Sequence, residues 1–222
     1  MNLLTSSSPS SPAPLSAHAE KLIRGRRATR AFRPEPVPEE TMRAIFSLAG
    51  AAPSNSNAQP WRVEVVSGAA RERLAGALQA AHAARRVTVD FPYSEDMYAP
   101  VHQERRAAFG AQLYGALGIG PDDHEARAAY DAESLRFYGA PHAYLQTLLL
   151  AMAAYGVASC PQGLLSFYAD AVRSELDLPA AEGKLLVGVS FGYADETAPV
   201  NGVTADRAAL EAVATFHGHS DC

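Results

Sequence analysis

The sequence predicts an α+β chain, rich in helix and built around a small sheet. Apolar residues recur at helical spacing in several segments that end at glycine or proline. A β-branched, alternating run occupies residues 61–66, as in a strand. Residues 185–193 form a nearly unbroken apolar run, the pattern of a central strand buried on both faces. With 222 residues, 48% of them hydrophobic and 19% charged, the chain can fill one sizeable core.

The elements follow in order. Residues 1–16 are rich in Ser, Pro and Ala, with neither a basic start nor an apolar stretch, and are expected to be a mobile tail rather than a secretory signal. A single domain is then expected over residues 17–222. Residues 17–24 suit a short helix. Pro34, Pro36 and Pro38 impose an extended segment, and Pro38 fits a first helical position, followed by Glu39 and Glu40 where the helix dipole favours acids. Met42, Ile45, Phe46 and Ala49 continue that helix until Gly50 and Pro53. After the strand over residues 61–66, Ser67 and Gly68 turn into a helix over residues 69–86. Residues 90–101 carry aromatics and proline without a period and read as a long loop or lid. Helical spacing resumes over residues 103–117, with Gly118 as a stop, and again over residues 121–136. Residues 145–155 are apolar nearly all round, which predicts a helix buried on most faces and ended by Gly156. Ser166 is placed to cap a helix through Leu176, and Leu210, Val213 and Phe216 suggest a last helix over residues 206–216.

The formal net charge of −5 argues against nucleic acid or an anionic membrane as the main partner. No apolar run approaches the roughly 18 residues that a span requires. Two cysteines, Cys160 and Cys222, make no disulfide framework and fit no zinc spacing, so a cytoplasmic setting is the simplest expectation. The seven histidines are scattered without ligand spacing, no catalytic triad is evident, and no G-x-G-x-x-G follows a strand.

Against that acidic background two motifs stand out. Arg26-Arg27-Ala28-Thr29-Arg30 concentrates guanidinium groups suited to a dianionic phosphate, although a solvated basic stretch has the same composition. Pro53-Ser54-Asn55-Ser56-Asn57-Ala58-Gln59-Pro60-Trp61 offers hydrogen-bonding side chains for a flat heterocycle, although Ser and Asn are expected in any helix-to-strand loop. Together they suggest a site for a phosphorylated aromatic cofactor. Cys160 reads as a small buried residue, since no neighbouring base lowers its pKa. Gly163 permits close approach to a planar ligand. Phe91, Tyr93 and Tyr98 suit either a pocket wall or ordinary core.

These residues resemble the flavin-dependent nitroreductase family. The resemblance rests on R-R-x-x-R-x-F at residues 26–32, the A-P-S-x-x-N-x-Q-P-W segment at residues 52–61, and Leu113-Tyr114-Gly115-Ala116-Leu117-Gly118-Ile119. Phe137-Tyr138-Gly139-Ala140-Pro141, Cys160-Pro161-Gln162, the VSFGY run at residues 189–193 and Pro199-Val200-Asn201 complete it. It implies a helix-rich fold with a small, mostly antiparallel central sheet, in an intertwined homodimer with FMN at the interface. The implied reaction moves two electrons from NADH or NADPH through the flavin to a small aromatic acceptor, nitroaromatic or quinone. Arg26, Arg27, Ala28 and Arg30 would lie at the phosphate and ribityl chain, with Arg207 adding a phosphate contact. Pro53, Ser54, Asn55 and Asn57 would come from the partner subunit, and Pro161, Gln162 and Gly163 would lie against the ring through their main chain. Related flavin chemistry, such as dehalogenation or alkene reduction, is the alternative within the superfamily.

Two departures stand out. Ala28 replaces the family's usual small hydroxyl residue. After Pro141 the chain passes straight towards the buried helix, so a core strand and its loop, roughly fifteen residues, are expected to be missing. That loss is the ground for a further alternative, a degenerate dimer that binds flavin without catalysis.

Overall fold

The computed structural model describes residues 14–52, 63–91, 93–94, 98–140, 142–143, 147–179, 184–205, 207–209 and 212. Seven helices fall among them: α1 (Pro14–Gly25), α2 (Glu39–Ala49), α3 (Gly68–Ala83), α4 (Pro100–Ala116), α5 (His124–Ser134), α6 (Thr147–Ala154) and α7 (Ala169–Leu176). Three strands, β1 (His142–Ala143), β2 (Ala158–Gln162) and β3 (Gly188–Gly192), form an antiparallel sheet in the order β1-β3-β2.

The apolar run does become the central strand. Val189, Ser190 and Phe191 are buried, and the sheet lies between two apolar layers. On one side α3 and α7 pack together, with Leu74, Leu78, Leu135 and Phe137 around Cys160. On the other, α2 packs on α6, and Ile45 and Met152 surround Phe191, whose ring meets Phe46 edge-on at 6.3 Å. Each large apolar side chain buried this way contributes about 1.5–3 kcal/mol. Gly118 and Gly156 end α4 and α6 with φ of +71° each, a conformation that costs glycine little.

Several expectations need correction. The strand expected to be lost after Pro141 survives in truncated form: His142 and Ala143 pair with Phe191 and Ser190. The pairing covers Phe191 and Ser190, the middle of β3, so the central strand keeps a neighbour on that side. The strand β2 was not anticipated at all. It holds Pro161, which cannot donate to a ladder and is tolerated because β2 lies at the sheet edge. Residues 63–65 form no ladder with any described neighbour, although exposed Val63 and Val65 and buried Val66 keep the alternation. Pro38 is the N-cap of α2 rather than its first helical residue. Ser166 lies in a 3-10 turn, Gly163–Phe167, and α7 starts later, after Tyr168. Arg207, Ala208 and Ala209 are not helical, and most of the expected last helix lies outside the described residues. The helix α1 begins inside the stretch expected as a tail.

The root of the aromatic loop is firmly tied. Thr88 N–H donates to the Phe167 carbonyl at 2.9 Å, and the Thr88 carbonyl accepts from Ala169 N–H at 3.0 Å. Asp90 pairs with Arg173 and accepts from Leu185 N–H at 2.7 Å. Burial pushes the Asp90 carboxyl up, but the Arg173 and Leu185 hydrogen bonds, with the Arg173 and Lys184 charges, hold it below the usual range. Beyond this root, the Tyr93 ring stands edge-on to Phe167 at 5.5 Å.

At one position the packing requires glycine. A Cβ on Gly188 would lie 2.3 Å from Leu165 Cδ2 and 3.2 Å from Leu165 Cβ, so the buried Leu165 side chain sits in the notch that Gly188 leaves. Gly188→Ala is expected to cost about 1–3 kcal/mol in equilibrium urea unfolding. The cost should be smaller when Leu165→Ala is already present, because the two changes share one contact.

Candidate functional site

The arginine segment leaves the C-terminus of α1, where Arg26 N–H still bonds the Leu22 carbonyl at 3.1 Å. It then runs beside β2 and is fastened along its length. Ala28 bridges Ser159 in parallel register, and Thr29 N–H donates to the Ser159 carbonyl at 2.8 Å. Arg30 N–H donates to Asn201 Oδ1 at 2.8 Å, while Asn201 Nδ2 donates to the carbonyls of Ala31 and Asp195, both at 2.9 Å. Phe32 bridges Ala194, and Arg33 N–H reaches the Tyr193 carbonyl at 2.8 Å. One buried Asn side chain therefore satisfies three main-chain groups and fixes the middle of the segment.

Arg24, Arg43, Arg73 and Arg173 each pair with a carboxylate. Among the described residues, Arg26, Arg27 and Arg30 have no carboxylate within ion-pair distance, and Arg26 and Arg30 are half-buried. Arg30 instead lies over the Phe109 ring, 5.4 Å from its centroid. Half-buried cations without counter-charge favour an anionic ligand.

A cleft of about 830 Å3 opens beside the segment, within the range of small-molecule sites. Lys21, Arg26, Arg27 and Arg33 line it, with Asp195 and Glu196 also contributing. Thr29 and Ser159 supply hydroxyl residues, and Ser159 Oγ is buried without a hydrogen-bond partner. Thr29, not Ala28, lines the cleft, so a hydroxyl residue is present one position along from the substituted one.

On the neighbouring side Arg30 is accompanied by an aromatic column. Tyr114 meets Tyr130 at 6.0 Å, and Tyr130 meets Tyr138 at 5.7 Å between centroids. The Tyr130 hydroxyl is buried beside that of Tyr138. Burial pushes the phenol of Tyr138 above its ordinary range.

Pro161 and Gly163 are exposed at the end of β2, while Gln162 between them is buried. Arg207 lies outside the cleft lining, where its Nη1 donates to the Ala205 carbonyl at 2.7 Å. Pro53, Ser54, Asn55 and Asn57 lie outside the described residues. The structure thus brings Arg26, Arg27, Ala28 and Arg30 together along one edge of β2. Sequence reasoning gave no role to Asn201 or Ser159. Asn201 stood in a recognisable Pro-Val-Asn run, but nothing local signals its bonds to residues some 170 positions away.

The chain is similar to known proteins along most of its length. A profile of the nitroreductase family matches residues 23–193, so the chain belongs to that family. It is 60% identical to the nitroreductase NfnB of Mycolicibacterium smegmatis over 91% of this chain and 94% of that protein. It is 34% identical to the chloronitrobenzene nitroreductase of Comamonas testosteroni, over 91% of this chain and 98% of the other. Among solved structures, the FMN-dependent nitroreductase NfnB from Mycobacterium smegmatis in complex with NADPH has a TM-score of 0.87 at 58% identity. That match covers 91% of this chain and 99% of the other. Among the described residues no helix is long and apolar enough to cross a membrane, and no group of three or more His, Cys, Asp or Glu side chains is placed to hold a metal.

Cys160 lies close enough to Arg30 and Arg26 for their charges to favour a thiolate, but burial outweighs them and pushes the thiol up to about 11. The native state therefore keeps the proton more tightly than the unfolded chain. The associated stability is complete below pH 9.0 and is lost as pH rises towards about 11. In a Cys222→Ser background, an aromatic disulfide reagent at pH 8 is expected to label no thiol in the native protein and one after urea unfolding. Labelling of the native protein within minutes would contradict the buried, protonated thiol.

Proposed function

We propose that this protein is an FMN-dependent nitroreductase that draws electrons from NADPH and passes them, two at a time, to nitroaromatic or similar flat, electron-poor acceptors. The observation that carries the reading is the row of arginines without counter-charge, fastened by Asn201 and the edge of β2. The residues fit the cofactor. Arg26 and Arg30 offer forked donors to a phosphate, and the buried Ser159 hydroxyl has no hydrogen-bond partner among the described residues. Pro161 and Gly163 present main chain free of bulky cover, suited to a planar ring. When bound, FMN supplies reversible two-electron chemistry, and this chain supplies position and charge. NADPH is favoured as donor by the relative whose structure holds it.

The working unit is a homodimer in the cytoplasm. The turn with Pro53, Ser54, Asn55 and Asn57 reaches the cofactor from the second subunit, and Arg207 contributes to the phosphate across the assembled site. A single pocket would serve donor and acceptor in turn. Initial rates varied in both substrates should give parallel double-reciprocal lines, and intersecting lines would exclude this order of events.

Purified protein should be yellow, with a flavin spectrum and the mass of two subunits in solution. Arg26→Ala or Arg30→Ala should raise the FMN dissociation constant about 10–100-fold, as expected for the loss of one charge-assisted contact. Arg24→Ala, which removes only an exposed pair with Glu20, should leave it unchanged. Colourless protein that stays colourless with added FMN would end the proposal.

A further inference from the structure

Gln162 stands in the turn expected to face the cofactor ring, yet its side chain points inward. The residue is 4% exposed. Its Nε2 donates to the Ser134 carbonyl at 2.5 Å, and its Oε1 accepts from Ser190 Oγ. Ser134 and Ser190 are themselves buried, at 6% and 0% exposure.

The two partners belong to different elements. Ser134 is the last residue of α5, where helical carbonyls lose their intrahelical donors. Phe137 and Tyr138 follow with φ of 62° and 52°, turning the chain away from the helix axis, so the Ser134 carbonyl needs a donor from elsewhere. Ser190 lies in β3, opposite Cys160 and diagonal to Gln162 in the antiparallel register. One amide thus satisfies a helix end and the central strand, while its own main chain leads from exposed Pro161 to exposed Gly163. Leu165, seated in the Gly188 notch, holds the other end of the same turn.

We propose that Gln162 is a positioning residue: its amide locks the 161–163 main chain to α5 and β3, so that this turn and Tyr130 keep a fixed geometry towards Arg30. Tyr130 lies one helical turn before Ser134 on α5 and shares its face. The inference rests on the flavin reading above. The Gln162 side chain acts through Ser134 and Ser190 rather than on a ligand. Its removal leaves a buried carbonyl and a buried hydroxyl unpaired, and both the turn and the helix end must shift or admit water to recover partners. Binding sites lose function when their supports move by fractions of an ångström.

The test measures FMN affinity by titration and the flavin midpoint potential by reductive titration, in the full-length protein carrying Gln162→Leu, Ser190→Ala or both. Gln162→Leu is expected to weaken FMN about tenfold and to shift the potential, and Ser190→Ala to weaken it about threefold. The double variant should be no weaker than Gln162→Leu, because Ser190 acts through the amide. A folded Gln162→Leu protein with wild-type affinity and potential would overturn the inference, even if its melting temperature fell. Should Gln162→Leu not fold, Ser190→Ala decides alone: unchanged affinity and potential would overturn the inference. Wild-type protein that binds no FMN would instead defeat the proposed function, so the two failures are distinguishable.

Discussion

The carboxamide of Asn201 is the contact on which the site depends. A run of cationic residues repels itself and gains nothing from the core, so left alone it would stay solvated. By accepting from Arg30 N–H and donating to the carbonyls of Ala31 and Asp195, Asn201 makes the backbone of that run part of the fold. The guanidiniums inherit a fixed origin. Their mutual repulsion then becomes a standing preference for an anion, because the folded frame does not let them spread apart.

The frame itself is a thin sheet between helical layers, and its thinness gives β3 unusual weight. It separates the layer of α3 and α7 from that of α2 and α6, and both β1 and β2 pair with it. The two-residue β1 shows how little pairing an edge position needs once packing fixes its neighbour. The overall match to a relative of 58% identity is close, at a TM-score of 0.87.

Much of this was legible in the sequence because it depends on local pattern. The run that became β3, the helical spacing of α2 to α4, and the stops at Gly118 and Gly156 all carry their cause within a few residues. The arginine segment was legible by composition against an acidic background. What escaped reading depends on tertiary partners. Pro161 disguised β2, since only its edge position makes a proline there harmless. Gln162 could be placed in the right turn, but the direction of its side chain is set by Ser134 and Ser190, 28 residues away on either side. Likewise, Thr29 rather than Ala28 lining the cleft follows from the bridge to Ser159, which no local spacing reveals.

The anchoring of Thr88 and Asp90 has a consequence for divergence within the family. With that stem clamped to the turn before α7, and α4 starting afresh at Pro100, the aromatic stretch between them is tethered at both ends. Doubling the length of such a tether costs only about 0.6 kcal/mol. Insertions there are therefore cheap for the fold, whereas the arginine run is fixed along its length by Asn201 and β2. That stretch can lengthen across relatives while the clamped stem and the sheet stay as they are.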